Sequence, residues 1–140
     1  MTAKEYLKQI ELFDTKIRHR QVQLDELRIL ALGNTSQHMD KPQVQTSTNG
    51  DQLESDVIRY VDLANDIEKM IDYYVDLKEQ VIREIHSLND RRYIDILFKR
   101  YVEYKSYEDI SKEMNYNQDW IRQLHKQALE DFYKKVLKNC

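Results

Sequence analysis

Gln118, Asp119, Arg122, Gln123 and Lys126 fall within nine residues of one another. Each side chain can hydrogen-bond directionally to an edge of a base or to a phosphate. In a major groove, Arg pairs with guanine, Gln with adenine, and Asp accepts from the cytosine amino group. On a helix, Gln118, Arg122 and Lys126 share one face, opposite Ile121, Leu124 and Ala128. Asp119 has a second reading, because a carboxylate in a first helical turn is favoured by the helix dipole. Arg100, Lys105 and Lys112 precede this stretch and are the candidates for holding phosphates, with Lys99 beside them. Arg91 and Arg92, and Lys134, Lys135 and Lys138, each have two readings: phosphate contact, or an ordinary exposed or dipole-facing position. His125 lies on the same helix and reads as a packing residue ahead of a phosphate ligand.

Other chemistry finds little support. His19, His38, His86 and His125 are scattered, and none pairs with a His or Cys at metal-ligand spacing. The many carboxylates lie on solvated helix faces, a poor setting for paired acid and base roles. There is no Gly-rich phosphate loop, activated nucleophile context or dinucleotide fingerprint. The expectation is a protein that is not an enzyme and takes no cofactor or metal. Cys140 is the one cysteine and the last residue, so it forms no internal disulfide.

Composition narrows the class further. Of 140 residues, 34% are charged and 41% hydrophobic, with a mean hydropathy of −0.80, so the chain is polar yet has enough apolar surface for a core. Two Gly and one Pro are few for this length and point to long uninterrupted helices. No apolar run is long enough to span a bilayer, and the N-terminal stretch lacks the apolar core of a secretory signal. A cytoplasmic location is expected. The net charge of −3 is unevenly spread: residues 1–87 carry 11 Lys and Arg against 16 Asp and Glu, and residues 88–140 carry 11 against 9. These give −5 and +2, so the C-terminal part is the candidate for contact with a polyanion.

The elements that must position these residues are helical throughout, and the fold class read from the sequence is all-α. Residues 3–31 carry an amphipathic stripe of Leu7, Ile10, Ile17, Leu24 and Ala31, flanked by Phe13 and Leu27. Both glycines and the proline lie in GNTSQHMDKPQVQTSTNG, so 33–51 reads as a connector, with Gly33 or Asn34 as a helix stop and Pro42 barring a continuous helix. A heptad seam then runs through Leu53, Val57, Tyr60, Ala64, Ile67, Ile71, Tyr74, Lys78, Val81, Ile85 and Leu88; only Lys78 breaks it. Folding the two stripes together gives a long antiparallel hairpin over 1–87, and a coiled coil between two copies is the alternative. Residues 88–140 read as shorter helices. Asn89 or Asp90 caps the first, Ser106 with Asp109 approximates a capping box, Asn115 suits a left-handed turn, and Asn117 caps the last.

The stretch KRYVEYKSYEDISKEMNYNQDWIRQLHKQAL resembles region four of bacterial sigma factors. The shared residues are Arg100-Tyr101, Ser106-Tyr107-Glu108-Asp109-Ile110, Ile121, Leu124-His125 and Ala128-Leu129. Ser111 stands where that family usually has Ala, Asn115 where it has Gly, and Trp120 where it has a smaller residue. The whole layout is similar to a phage- and prophage-associated family of unknown function, itself similar to phage transcriptional regulators of the ArpU and RinA type. The resemblance implies a helix–turn–helix module over 88–140 that binds double-stranded DNA in transcription control. Residues 118–129 would form its recognition helix. RNA polymerase, or a second copy joined through the hairpin, are the implied protein partners. The alternatives are an adaptor or inhibitor that grips a protein with the same corner, and a DNA-packaging protein like a small terminase.

Overall fold

The computed structural model describes residues 1–33 and 47–138. The class is all-α, with no strand among the described residues. Helix α1 spans Ala3–Arg28 and ends in a π-helical turn, Ile29–Gly33; α2 spans Ser47–His86. Helix α3 spans Arg91–Leu97 and continues as a π-helical turn, Phe98–Val102. Helices α4, Tyr107–Met114, and α5, Gln118–Phe132, follow, the latter closing with the turn Tyr133–Leu137. No helix among the described residues is long and apolar enough to cross a membrane.

Most of the expected connector, including Asn34 and Pro42, lies outside the described residues. Its last part is corrected: α2 already begins at Ser47, so residues 47–51 are helical. Ser, Thr, Asn and Gly are weak helix formers, but extending an existing helix costs only about 0.5–1 kcal/mol per such residue.

The chain forms two compact units, Met1–Asp14 with Tyr74–Cys140, and Thr15–Tyr73. In the first, Leu7 and Ile10 of α1 and Val81 and Ile85 of α2 are fully buried in one core with Ile121 and Phe132 of α5. The Tyr6 hydroxyl donates to the Glu84 carboxylate, and the Gln80 amide donates to Tyr6 Oη at 3.5 Å. Farther along, Tyr104 Oη lies 3.2 Å from Tyr74 Oη and also hydrogen-bonds Asp14. Ascending numbers in α1 thus meet descending numbers in α2, which makes the two segments antiparallel within this unit.

In the second unit, Ile17, Ala31, Leu63 and Ile67 are buried. The seam is less completely covered here: Leu53 is 49% exposed and Ile71 37%. Val22, Ile29, Leu30, Ile58 and Val61 also face solvent. Two helices have too little facing surface to cover an apolar stripe of this width.

Candidate nucleic-acid interface

The stretch that carries the candidate side chains is set by local capping. Asp90 caps α3, accepting from Arg92 N–H at 2.9 Å, and also takes the Arg92 guanidinium at 3.1 and 3.3 Å. This answers why a cation sits at a helix start: the cap carboxylate neutralises it. Arg92 in turn holds the Asp90 carboxyl below its ordinary value. Ser106 Oγ caps α4 by accepting from Asp109 N–H at 3.2 Å. Helix α4 ends at Asn115, left-handed at φ 60, a conformation that Asn tolerates better than most residues. Asn117 Oδ1 starts α5 by accepting from Trp120 N–H at 2.7 Å.

Three residues, Asn115 to Asn117, therefore join α4 to α5. The Ser111 hydroxyl donates to the Tyr116 carbonyl at 2.6 Å, and Tyr116 N–H donates to the Ser111 carbonyl at 3.2 Å. Ser111 thus ties down the turn, which an Ala at that position could not do through its side chain. Trp120 packs edge-on to Tyr116, with ring centroids 6.4 Å apart. Asn117→Ala is expected to cost about 1 kcal/mol, the usual loss for a helix N-cap. Urea unfolding measures it, and the amides at the start of α5 should lose hydrogen-exchange protection first.

The inward face of α5 is sealed. Ile121, Leu124 and Ala128 are fully buried, and His125 is 5% exposed. His125 Nε2 lies 2.7 Å from Tyr101 Oη, and Nδ1 lies 3.1 Å from Tyr107 Oη. A neutral imidazole offers one donor and one acceptor, so one tyrosine donates to the ring and the other accepts from it. Burial pushes the His125 pKa down to about 4, and Arg100, Lys4 and Lys8 add to the shift. The ring is a packing residue, with both nitrogens engaged inside the core. Burial also raises the Tyr101 pKa.

The outward face of α5 carries Gln118, Asp119, Arg122, Gln123 and Lys126, all exposed. The sequence spacing and the helix agree on this face. Arg122 Nη1 lies 3.3 Å from Asp119 Oδ1, and its guanidinium lies 5.6 Å from the centre of the Tyr107 ring. Asp119 therefore acts within the helix as a partner of Arg122.

The upstream cations behave differently from one another. Lys112 is exposed and 3.4 Å from Glu108. Lys105 lies 2.7 Å from Glu113 and 3.5 Å from Glu103, and Lys99 lies 2.9 Å from the same Glu113. Lys105 and then Lys99 hold the Glu113 carboxyl below its ordinary value, and Glu113 raises Lys105. Arg100 is half-buried: its Nη1 donates to the Lys105 carbonyl at 2.9 Å, and its guanidinium lies 4.3 Å from the centre of the Tyr107 ring. Arg100 and Arg122 thus both approach Tyr107, tying the turn before α4 to α5.

Sequence reasoning missed Glu113, which bridges two lysines 14 and 8 positions away. An acid flanked by lysines at such distances has no local signature, because the pairing depends on how the chain folds back. No family model matches the chain, and no curated protein or solved structure shows significant similarity to it.

Proposed function

We propose that the protein binds double-stranded DNA sequence-specifically and acts in transcription control, with residues 118–129 of α5 in the major groove. The observation that carries this reading is the division of α5. Ile121, Leu124 and Ala128 are sealed inside, while Gln118, Arg122, Gln123 and Lys126 stand exposed on a helix fixed by a three-residue turn. A recognition helix needs this arrangement, because its N-terminal side chains must reach base edges from a rigid backbone. Lys105, Lys112 and Lys99 lie within the same stretch and can hold phosphates once their carboxylate partners yield. The resemblance to sigma region four and to the phage regulators suggests phage or prophage genes as targets and RNA polymerase as a second partner. A homodimer through α1 and α2 would supply two half-sites and raise affinity.

A second reading is favoured by one observation. Lys99 and Lys105 meet Glu113, Lys112 meets Glu108, and Arg122 meets Asp119, so much of the positive charge is already matched. That pattern suits an adaptor that grips another protein with the corner.

Selection of bound sequences from random duplex DNA separates the two. The wild type is expected to enrich one motif, and Arg122→Ala combined with Lys126→Ala to lose it. Binding should weaken steeply between about 50 and 200 mM salt as phosphate contacts release counterions. Failure to enrich any motif at low salt would reject the DNA reading in favour of the adaptor.

A further inference from the structure

A cavity of about 230 Å³ opens in the larger unit, lined by Lys8, Glu11, Arg100, Tyr101, Tyr104 and Ser106. Liquid water takes about 30 Å³ per molecule, so the space admits several waters or one small oxyanion. Its chemistry is that of an anion site with one acid in it. Lys8 and Arg100 supply two positive charges. Ser106 Oγ already accepts the Asp109 N–H, which leaves its own proton available to a ligand. Glu11 adds a carboxylate that would repel a fully ionised guest but accept from one that keeps a hydroxyl.

The wall is also conformationally set. Tyr104 has φ 60, left-handed for a bulky residue, a state that persists only where the surroundings over-determine it. Its hydroxyl is held by Tyr74 and Asp14. Behind the wall, Tyr101 connects the cavity to the neutral His125. Burial first, and then Arg100, Lys4 and Lys8, hold the His125 pKa down, and two of these cations line the cavity.

We propose that this cavity binds a small soluble phosphate-bearing ligand, with Lys8, Arg100 and the Ser106 hydroxyl on the ionised oxygens and Glu11 accepting the remaining P–OH. A phosphate group has a second pKa near 6–7, so the singly protonated form that Glu11 selects is present at neutral pH. Sulfate has no such proton and meets Glu11 as a like charge. The site is separate from the exposed face of α5 and stands or falls independently of the DNA reading.

The test is a titration of the ¹⁵N-labelled chain with inorganic phosphate to about 20 mM, well beyond a millimolar dissociation constant, at constant ionic strength. Saturable shifts are expected at the amides of Lys8, Tyr104 and Ser106, with the His125 ring signals moving in step. Lys8→Gln should weaken phosphate at least about fivefold, the effect of removing one close charge near water. Glu11→Gln should raise sulfate binding about tenfold and erase the preference for phosphate. Both residues are exposed, so the variants keep the fold. Three outcomes overturn the proposal: no saturation, equal binding in Lys8→Gln, or sulfate taken as tightly as phosphate by the wild type. A fourth does as well: these amides shift with duplex DNA but not with free phosphate, which would make the cavity a backbone contact.

Discussion

Phe132→Ala is expected to lower the unfolding free energy by about 4 kcal/mol, within the ~3–5 kcal/mol found for emptying a buried aromatic position. Phe132 is fully buried at the end of α5, and its ring centre lies 6.0 Å from that of Tyr6 on α1. The cavity left behind would be bordered by α1 and α5 together, both rigid helices, so collapse around it would be incomplete. With a urea slope of about 2 kcal/mol/M, the midpoint should fall by roughly 2 M. The variant should also release the first turns of α1, seen as faster amide exchange at Leu7 and Ile10. A loss below about 1 kcal/mol would mean that α1 is not held against α5 in solution.

The second large effect is a pH dependence set by His125. Its folded pKa is about 4, below the ordinary value of 6.5, because burial disfavours the charged ring. The unfolded chain therefore takes up the proton first as pH falls. The stability that His125 contributes is fully present above pH 6.5 and is lost progressively as pH falls towards 4. The full shift corresponds to about 3 kcal/mol, at roughly 1.4 kcal/mol for each pKa unit. Protonation would also cost a hydrogen bond, because a charged imidazole donates from both nitrogens and the tyrosine that now donates to it must turn away. The carboxyls of Asp90 and Glu113, held low by Arg92 and by Lys105, contribute mainly below this window. Urea midpoints at pH 7 and pH 4.5 should differ by about 2–3 kcal/mol in equivalent stability. Imidazole signals should show His125 still mostly neutral at pH 4.5. A flat profile across that range, or an imidazole that titrates near 6.5 in the folded protein, contradicts the buried neutral ring.

Periodicity made much of this legible. Leu7, Ile10, Ile17 and Ala31 of the stripe and Ile67, Val81, Ile85 and Leu88 of the seam are buried, while Leu53 and Ile71 of the seam are exposed and Leu63, off the seam, is buried in their part of α2. A helix has one geometry, so spacing alone assigns a face. The caps were legible for the same local reason: Asp90, Ser106 and Asn117 each act within three residues of themselves. The exposed set on α5 follows once Ile121, Leu124 and Ala128 define the buried side. What stayed hidden depends on long-range return of the chain. Glu113 reaching Lys99, Tyr101 and Tyr107 closing on His125, and the cavity under Lys8 all join residues that no window of sequence places together. Arg100 reads from sequence as a phosphate clamp; the structure gives its side chain to the Lys105 carbonyl, the Tyr107 ring and the cavity wall.

The larger unit is built from two separated pieces of chain, Met1–Asp14 and Tyr74–Cys140. During synthesis, the first piece emerges and then waits for about sixty further residues before any of its partners is made. At about 5–20 residues per second, that delay is several seconds. Helix formation takes microseconds, so the packing of Met1–Asp14 is delayed by the wait for its partners and not by the speed of forming α1. Leu7 and Ile10 are therefore bare on a nascent chain at a stage when their later neighbours do not exist. The closure of this core has to await the residues from Tyr74 onward.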